Sequence, residues 1–199
     1  GASLEKIKQV VDVRNGEIMF GLNMVVHKGK TIFVGDTSVH EYPTSEQMSE
    51  IAISAARVVR LFGFEPKVAF VSHSTFGQPL TSRTKHIKNA VEILKNRNVD
   101  FEFDGDMQPD VALDPEYQNL YPFSKIVGNA NILIMPGQHS AAISYKMMKT
   151  LGDTKVIGPL LIGLGLPIEI APLRSSTSEI INLASIAAYS ADVIDYKKS

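Results

Sequence analysis

The sequence predicts an α/β fold: a mainly parallel sheet with helices on both faces and an antiparallel hairpin near its start. Three observations carry that reading. Two β-rich runs, residues 18–26 and 30–34, flank the tight segment His27-Lys-Gly-Lys30. Short apolar runs then alternate with stretches of helical periodicity, the pattern of parallel strands joined by crossover helices. Two capping boxes mark where helices begin.

The first box is Thr44-Ser-Glu-Gln47, in which the Thr44 hydroxyl can accept from the third helical amide while Gln47 reaches back. Ile51, Ala55, Val58 and Leu61 follow at helical spacing, and Gly63 supplies the stop. Residues 67–71 read as a buried strand, followed by a polar loop over 72–82 and a helix marked by Ile87, Ala90, Val91 and Leu94. Residues 101–103 and 131–135 read as strands, and 140–150 as a helix ended by Gly152. A last short strand is expected over 168–170. The second box, Ser176-Thr-Ser-Glu179, opens a helix over 180–189. That helix carries Ile180, Ile181, Leu183, Ile186 and Ala187 on several faces, so it needs cover on more than one side, from a subunit partner or from further sequence.

A length of 199 residues fits one large or two small domains. Twenty basic side chains against 21 acidic ones, with no basic block, argue against a nucleic-acid partner. The absence of cysteine excludes a disulfide framework, a thiolate metal site and a cysteine nucleophile, and agrees with a cytoplasmic location. The start is charged early, without a signal-type apolar stretch, and Gly1-Ala2-Ser3 reads as a cloning remnant. The longest uncharged apolar run, residues 156–168, falls short of the ~20 residues that span a bilayer and is interrupted by Pro159 and Pro167. No membrane or metal site is expected, since no histidine pair has helical metal spacing.

Several motifs fail on context. Gly29-Lys30-Thr31 imitates the tail of a P-loop, but Met24 holds the required glycine position and the segment lies in a hairpin. Gly163-Leu-Gly165 lacks the third glycine of a dinucleotide fingerprint, and close backbone packing explains it better. Asp104, Asp106, Gln108 and Asp110 alternate like a calcium loop, yet Pro109 and Pro115 stand at the two defining positions. These carboxylates are read as helix caps and turn formers. Ser72-His-Ser-Thr-Phe-Gly77 leaves the carboxyl end of a strand, where open α/β sheets place ligands, and its hydroxyls and amides suit a phosphate or carbonyl oxygen.

Several ordered blocks resemble the phosphate acetyl/butyryltransferase family. They are Val68-Ala-Phe-Val-Ser-His-Ser-Thr-Phe-Gly77, Asp104-Gly-Asp-Met-Gln-Pro-Asp110, Asn129-Ala-Asn-Ile-Leu-Ile-Met-Pro136, Ile157-Gly-Pro-Leu-Leu-Ile-Gly163 and Glu179-Ile-Ile-Asn-Leu-Ala184. The resemblance implies a phosphotransacetylase-like fold of isocitrate dehydrogenase-like architecture. It divides the chain into an N-terminal segment, 1–17, and the C-terminal part of such a domain, 18–199, cut from a longer protein. In the family a serine and an arginine precede the last helix and an aspartate lies in its first turn. Here Pro172, Leu173 and Glu179 hold those places. Neither Pro172 nor Leu173 can donate a side-chain hydrogen bond.

That variant resembles the C-terminal domain of large bacterial NADP-dependent malic enzymes. It implies no catalytic residue and no cofactor in this chain, with NADP and a divalent metal held by upstream malic-enzyme domains. It also implies a homo-oligomer and acetyl-CoA as an effector. The acyl-CoA or phosphate contacts expected are Ser72, Ser74, Thr75, Gly77, Lys146, Arg174, Ser175, Ser176 and Glu179, with the 72–77 loop and the start of the last helix facing one cleft. Lys146 matches a family lysine implicated in CoA binding. The alternatives are an active acyltransferase with Glu179 as base and Arg174 as phosphate anchor, and a purely structural oligomerisation domain.

Overall fold

Residues 2–193 are described by a computed structural model. The hairpin forms as expected: β1 (Phe20–His27) and β2 (Lys30–Gly35) pair antiparallel with His27 opposite Lys30. Lys28 and Gly29 at its tip both have positive φ, 47° and 76°, the geometry that matches the twist of the strands they join. The remaining strands are β3 (Lys67–Val71), β4 (Glu102–Met107), β5 (Ile132–Ile134) and β6 (Thr154–Ile162). They form one sheet in the order β4-β3-β5-β2-β1-β6. Neighbours from β4 to β2 are parallel, and β1 runs antiparallel to both β2 and β6.

Seven helices lie among the described residues: α1 (Ala2–Lys8), α2 (Ser45–Leu61), α3 (Ser82–Asn96), α4 (Pro109–Leu113), α5 (Pro115–Gln118), α6 (Gln138–Leu151) and α7 (Thr177–Val193). Strand residues alternate between two cores, as a period of two requires. Phe33, Val68, Phe70, Ile132 and Ile134 meet α2 and α3 through Met48, Ile51, Ile87 and Leu94, with Leu183 of α7 at the margin. Val34, Ala69, Val71 and Leu133 face the other way, onto Val111 of α4 and Ala141 of α6. Each fully buried large apolar side chain contributes about 1.5–3 kcal/mol, so these two faces hold the sheet between its helices.

The capping box of α2 is made as the sequence implies: Thr44 Oγ1 accepts from the Gln47 amide and Gln47 Oε1 accepts from the Thr44 amide. A third box, Thr81 with Thr84, opens α3 and escapes sequence inspection, because threonine replaces the usual Glu or Gln at its inner position.

The structure corrects two of these expectations and adds two findings. The strand expected over 101–103 begins at Glu102 and runs on through Asp104 and Asp106 to Met107, so those two carboxylates stand in a strand and not in a turn or cap. Most of β6 lies in the 156–168 run, where the prolines disguise it. Pro159 is tolerated because β6 is the edge strand and the β1–β6 register shifts there, with Leu22 opposite Leu160 but Met24 opposite Ile157. The expected strand at 168–170 is reduced to one bridge, Leu160 with Glu169. The N-terminal segment packs on the fold: Leu4 of α1 packs with Met19, Leu161 and Leu164, and the Arg14 amide donates to Gly163 O.

Gly163 bears out the packing explanation of its motif. Its φ is 87°, and a Cβ would collide with the carbonyl oxygen of Ile18.

Candidate functional site

Two groups of the residues singled out in the sequence form separate clusters. The first is the 72–77 loop, which leaves the carboxyl end of β3 beside β4. Asp106, 1% exposed, organises it from the neighbouring strand. One carboxylate oxygen accepts the Ser74 hydroxyl in a short hydrogen bond, and the other accepts the Gly77 amide at 2.9 Å. Ser72 Oγ lies 3.2 Å from Ser74 Oγ, and Thr75 Oγ1 accepts from the Gln108 amide at 3.3 Å. Ser72, Ser74 and Thr75 are all buried, so their hydroxyls serve the loop's internal network.

The second cluster wraps the edge strand β6. A pocket of about 340 Å³ opens between α6 and the start of α7. Tyr145, Lys146 and Lys149 of α6 form one wall, and Pro172, Ser175, Glu179 and Leu183 form the other. Asn23, Val156, Ile157, Gly158 and Pro159 close it from the sheet. The structure therefore brings Lys146, Ser175 and Glu179 together, as expected. Arg174 is exposed in the turn closed by the Ser175 amide on Pro172 O, outside that lining.

Ser72, Ser74, Thr75 and Gly77 lie elsewhere. Between β3 and β6 stand β5, β2 and β1, a separation of roughly 19 Å at the usual ~4.8 Å strand spacing.

Glu179 is the most constrained ionisable group in the pocket. Its Oε2 accepts from the Ser176 amide at 2.7 Å and the Ser176 hydroxyl at 3.0 Å, and Ser176 Oγ accepts from the Glu179 amide at 3.3 Å. Its Oε1 meets Lys149 Nζ at 2.9 Å. The Ser176 amide first, then the Lys149 ammonium and the Ser176 hydroxyl, hold its carboxyl down at about 2. A carboxylate so firmly ionised is a weak proton acceptor. Lys146, by contrast, is exposed at the pocket wall with its ammonium 6.0 Å from the Tyr145 ring. Burial pushes the Tyr145 phenol up, so at neutral pH it stands as an uncharged donor.

Sequence reasoning missed Asn23, Lys149 and Glu169. Asn23 had a signal, as the single polar side chain in the apolar run of residues 20–26. Glu169 lines a separate pocket of about 390 Å³ between α2, β6 and α7. Burial pushes its carboxyl up to about 8, although one oxygen accepts from the Leu161 amide at 3.1 Å.

The family profile described as "Phosphate acetyl/butaryl transferase" matches residues 1–188. The chain is 44% identical over 189 residues to an NADP-dependent malic enzyme of Rhizobium meliloti (strain 1021), covering 95% of this chain but 25% of that enzyme. It is 36% identical over 162 residues to a phosphate acetyltransferase of Clostridium acetobutylicum, covering 80% of this chain and 49% of the relative. The crystal structure of a phosphotransacetylase from Streptococcus pyogenes superposes with a TM-score of 0.89 at 29% identity, over 96% of this chain and 59% of that one. The chain thus spans about a quarter of the malic enzyme and about half of the acetyltransferase.

Proposed function

The chain belongs to the phosphate acetyl/butaryl transferase family, and from that premise we propose that it is a non-catalytic, acyl-CoA-sensing and oligomerising domain of an NADP-dependent malic enzyme. One observation carries the reading. Where the family resemblance places a serine and an arginine beside the last helix, Pro172 lines the pocket without a donor and Leu173 points into solvent. The pocket itself persists, with Lys146 and Lys149 on its wall. Loss of donors for developing charge removes a contribution of several kcal/mol to acyl transfer, whereas binding of an anionic acyl-CoA needs only the cations and the cavity.

In this reading NADP, a divalent metal and the oxidative decarboxylation of malate to pyruvate belong to other segments of the longer protein. Self-association is supported by α7, which leaves Ile180, Ile181, Tyr189 and Val193 exposed. The test is calorimetry of the full-length protein with acetyl-CoA, together with its malate oxidation. Saturable binding and an altered rate are expected. No heat at millimolar ligand and an unchanged rate would discard the sensing role, and intact assembly after deletion of this domain would discard the oligomerising one.

The enzymatic alternative uses Glu179 as base for the CoA thiol. The capped, lysine-paired state of Glu179 weighs against it. Incubation with acetyl phosphate and CoA decides between them: acetyl-CoA formation abolished by Glu179→Gln would restore the enzymatic reading.

A further inference from the structure

Asn23 occupies a place where an apolar residue would be expected. It lies inside β1, is 1% exposed, and is flanked by Leu22 and Met24. Its neighbour across the ladder is irregular: Leu22 faces Leu160 and Met24 faces Ile157, so Gly158 and Pro159 together oppose Asn23 in a bulge. Only glycine fits at 158, where φ is 123° and a Cβ would stand 2.9 Å from Leu22 O. By the period of two, Asn23 shares its face of β1 with Val25, on the side that α6 covers, and it lines the pocket between α6 and α7.

Half of the Asn23 carboxamide is committed. Its Oδ1 accepts the Thr37 hydroxyl at 2.6 Å. Thr37 is itself held, since its amide donates to Gly21 O at 2.9 Å. Beside it, Asp36 accepts from the Gly21 amide at 2.8 Å and from the amides of Ser38 and His40. This clamp orients the amide, leaving the Nδ2 protons without an acceptor among the described residues. The buried side-chain atoms without a partner among the described residues are Gln118 Nε2 and Asn129 Oδ1, so Asn23 Nδ2 keeps contact with solvent and is open to an acceptor that enters the pocket.

We infer that Asn23 is a specificity residue of this pocket, its Nδ2–H donating to the thioester carbonyl oxygen of a bound acyl-CoA. The inference rests on the acyl-CoA reading above and extends it. At about 340 Å³ the pocket lies at the small end of ligand sites, enough for an acyl-pantetheine end but not for the whole nucleotide. Its apolar lining, Val156, Ile157, Pro159, Pro172 and Leu183, suits the acyl and thioester atoms. Lys146, exposed on the α6 wall, is placed for the phosphates at the mouth, while Lys149 is held by Glu179. A fixed donor at the carbonyl distinguishes acyl-CoA from free CoA, which a sensor of acylation must do.

The ligand side can be tested without changing the protein. Calorimetry of the full-length protein should show acetyl-CoA binding about five- to tenfold tighter than S-ethyl-CoA, the thioether without the carbonyl, as one net hydrogen bond predicts. In Asn23→Asp, which keeps the acceptor for Thr37 but loses the donor, that preference should vanish while the melting curve stays cooperative. Equal affinity for the two ligands in the wild type, or a preference that survives in Asn23→Asp, would overturn the inference while leaving acyl-CoA sensing intact. Failure of acetyl-CoA to bind the wild type at all would overturn both.

Discussion

Replacing Asp106 by alanine removes the acceptor of two buried donors, the Ser74 hydroxyl and the Gly77 amide. Asp106 and Ser74 are 1% and 0% exposed, so water cannot replace the carboxylate without local opening. Each orphaned buried donor costs about 1–3 kcal/mol. Ser74 keeps a partner in Ser72 Oγ at 3.2 Å, which brings the expected total to about 2–4 kcal/mol. For a chain of this size 1 kcal/mol moves the melting midpoint by about 2–4 °C, so Asp106→Ala should lower Tm by roughly 5–15 °C. Circular dichroism of the chain during heating measures this directly. The double variant with Ser74→Ala should cost less than the sum of the single variants, because the two side chains share one hydrogen bond. A Tm within about 2 °C of wild type, accompanied by new binding of inorganic phosphate, would refute the reasoning. It would mean that the loop's donors are free for an anion and that Asp106 merely repels it.

The other predictions concern charge in the two pockets. Lys146→Ala should weaken acetyl-CoA binding tenfold or more by calorimetry, since a charge-assisted contact is worth about 1.5–3 kcal/mol; unchanged affinity in both Lys146→Ala and Arg174→Ala would place the ligand elsewhere. Glu179, held at about 2 against an ordinary 4.5, contributes stability that is complete above that ordinary value and is lost as pH falls through about 2. Urea midpoints should therefore show Glu179→Gln less stable than wild type at pH 7, with the difference shrinking across that acidic window. Glu169 has the opposite sign: pushed up to about 8 by burial, it favours folding most below 4.5 and progressively less as pH rises through 8. Glu169→Gln should accordingly gain on wild type between those values, and parallel urea profiles would show that Glu169 ionises as freely folded as unfolded.

Local chemistry makes much of this chain legible in the order of its residues. The turn at His27-Lys-Gly-Lys30, the boxes at Thr44 and Ser176 and the spacing of Ile51, Ala55 and Val58 all describe interactions among residues close in sequence, and the folded chain makes each of them. The resemblance to the family sets Pro172 and Leu173 where a serine and an arginine are expected, and that neither can donate a side-chain hydrogen bond is a property of the residues themselves. Lys146, Ser175 and Glu179 are expected to share a site, and the α6–α7 pocket joins them.

What the tertiary structure decided depends on neighbours far along the chain. Pro159 interrupts its apolar run in the sequence, and only the fold shows that it sits in β6 at the sheet edge, where a missing amide leaves no partner unsatisfied. Asp106 reads as a turn former until β4 is set beside β3 and its carboxylate meets the 72–77 loop. Asn23 goes unremarked in the sequence and gains a role only when the fold sets it in the α6–α7 pocket and Thr37 fixes its amide. Periodicity and capping are short-range and are written in the order of residues. A buried polar group acquires its role only from the partners that folding brings to it, and those partners lie 14 residues away for Thr37 with Asn23 and 32 for Ser74 with Asp106.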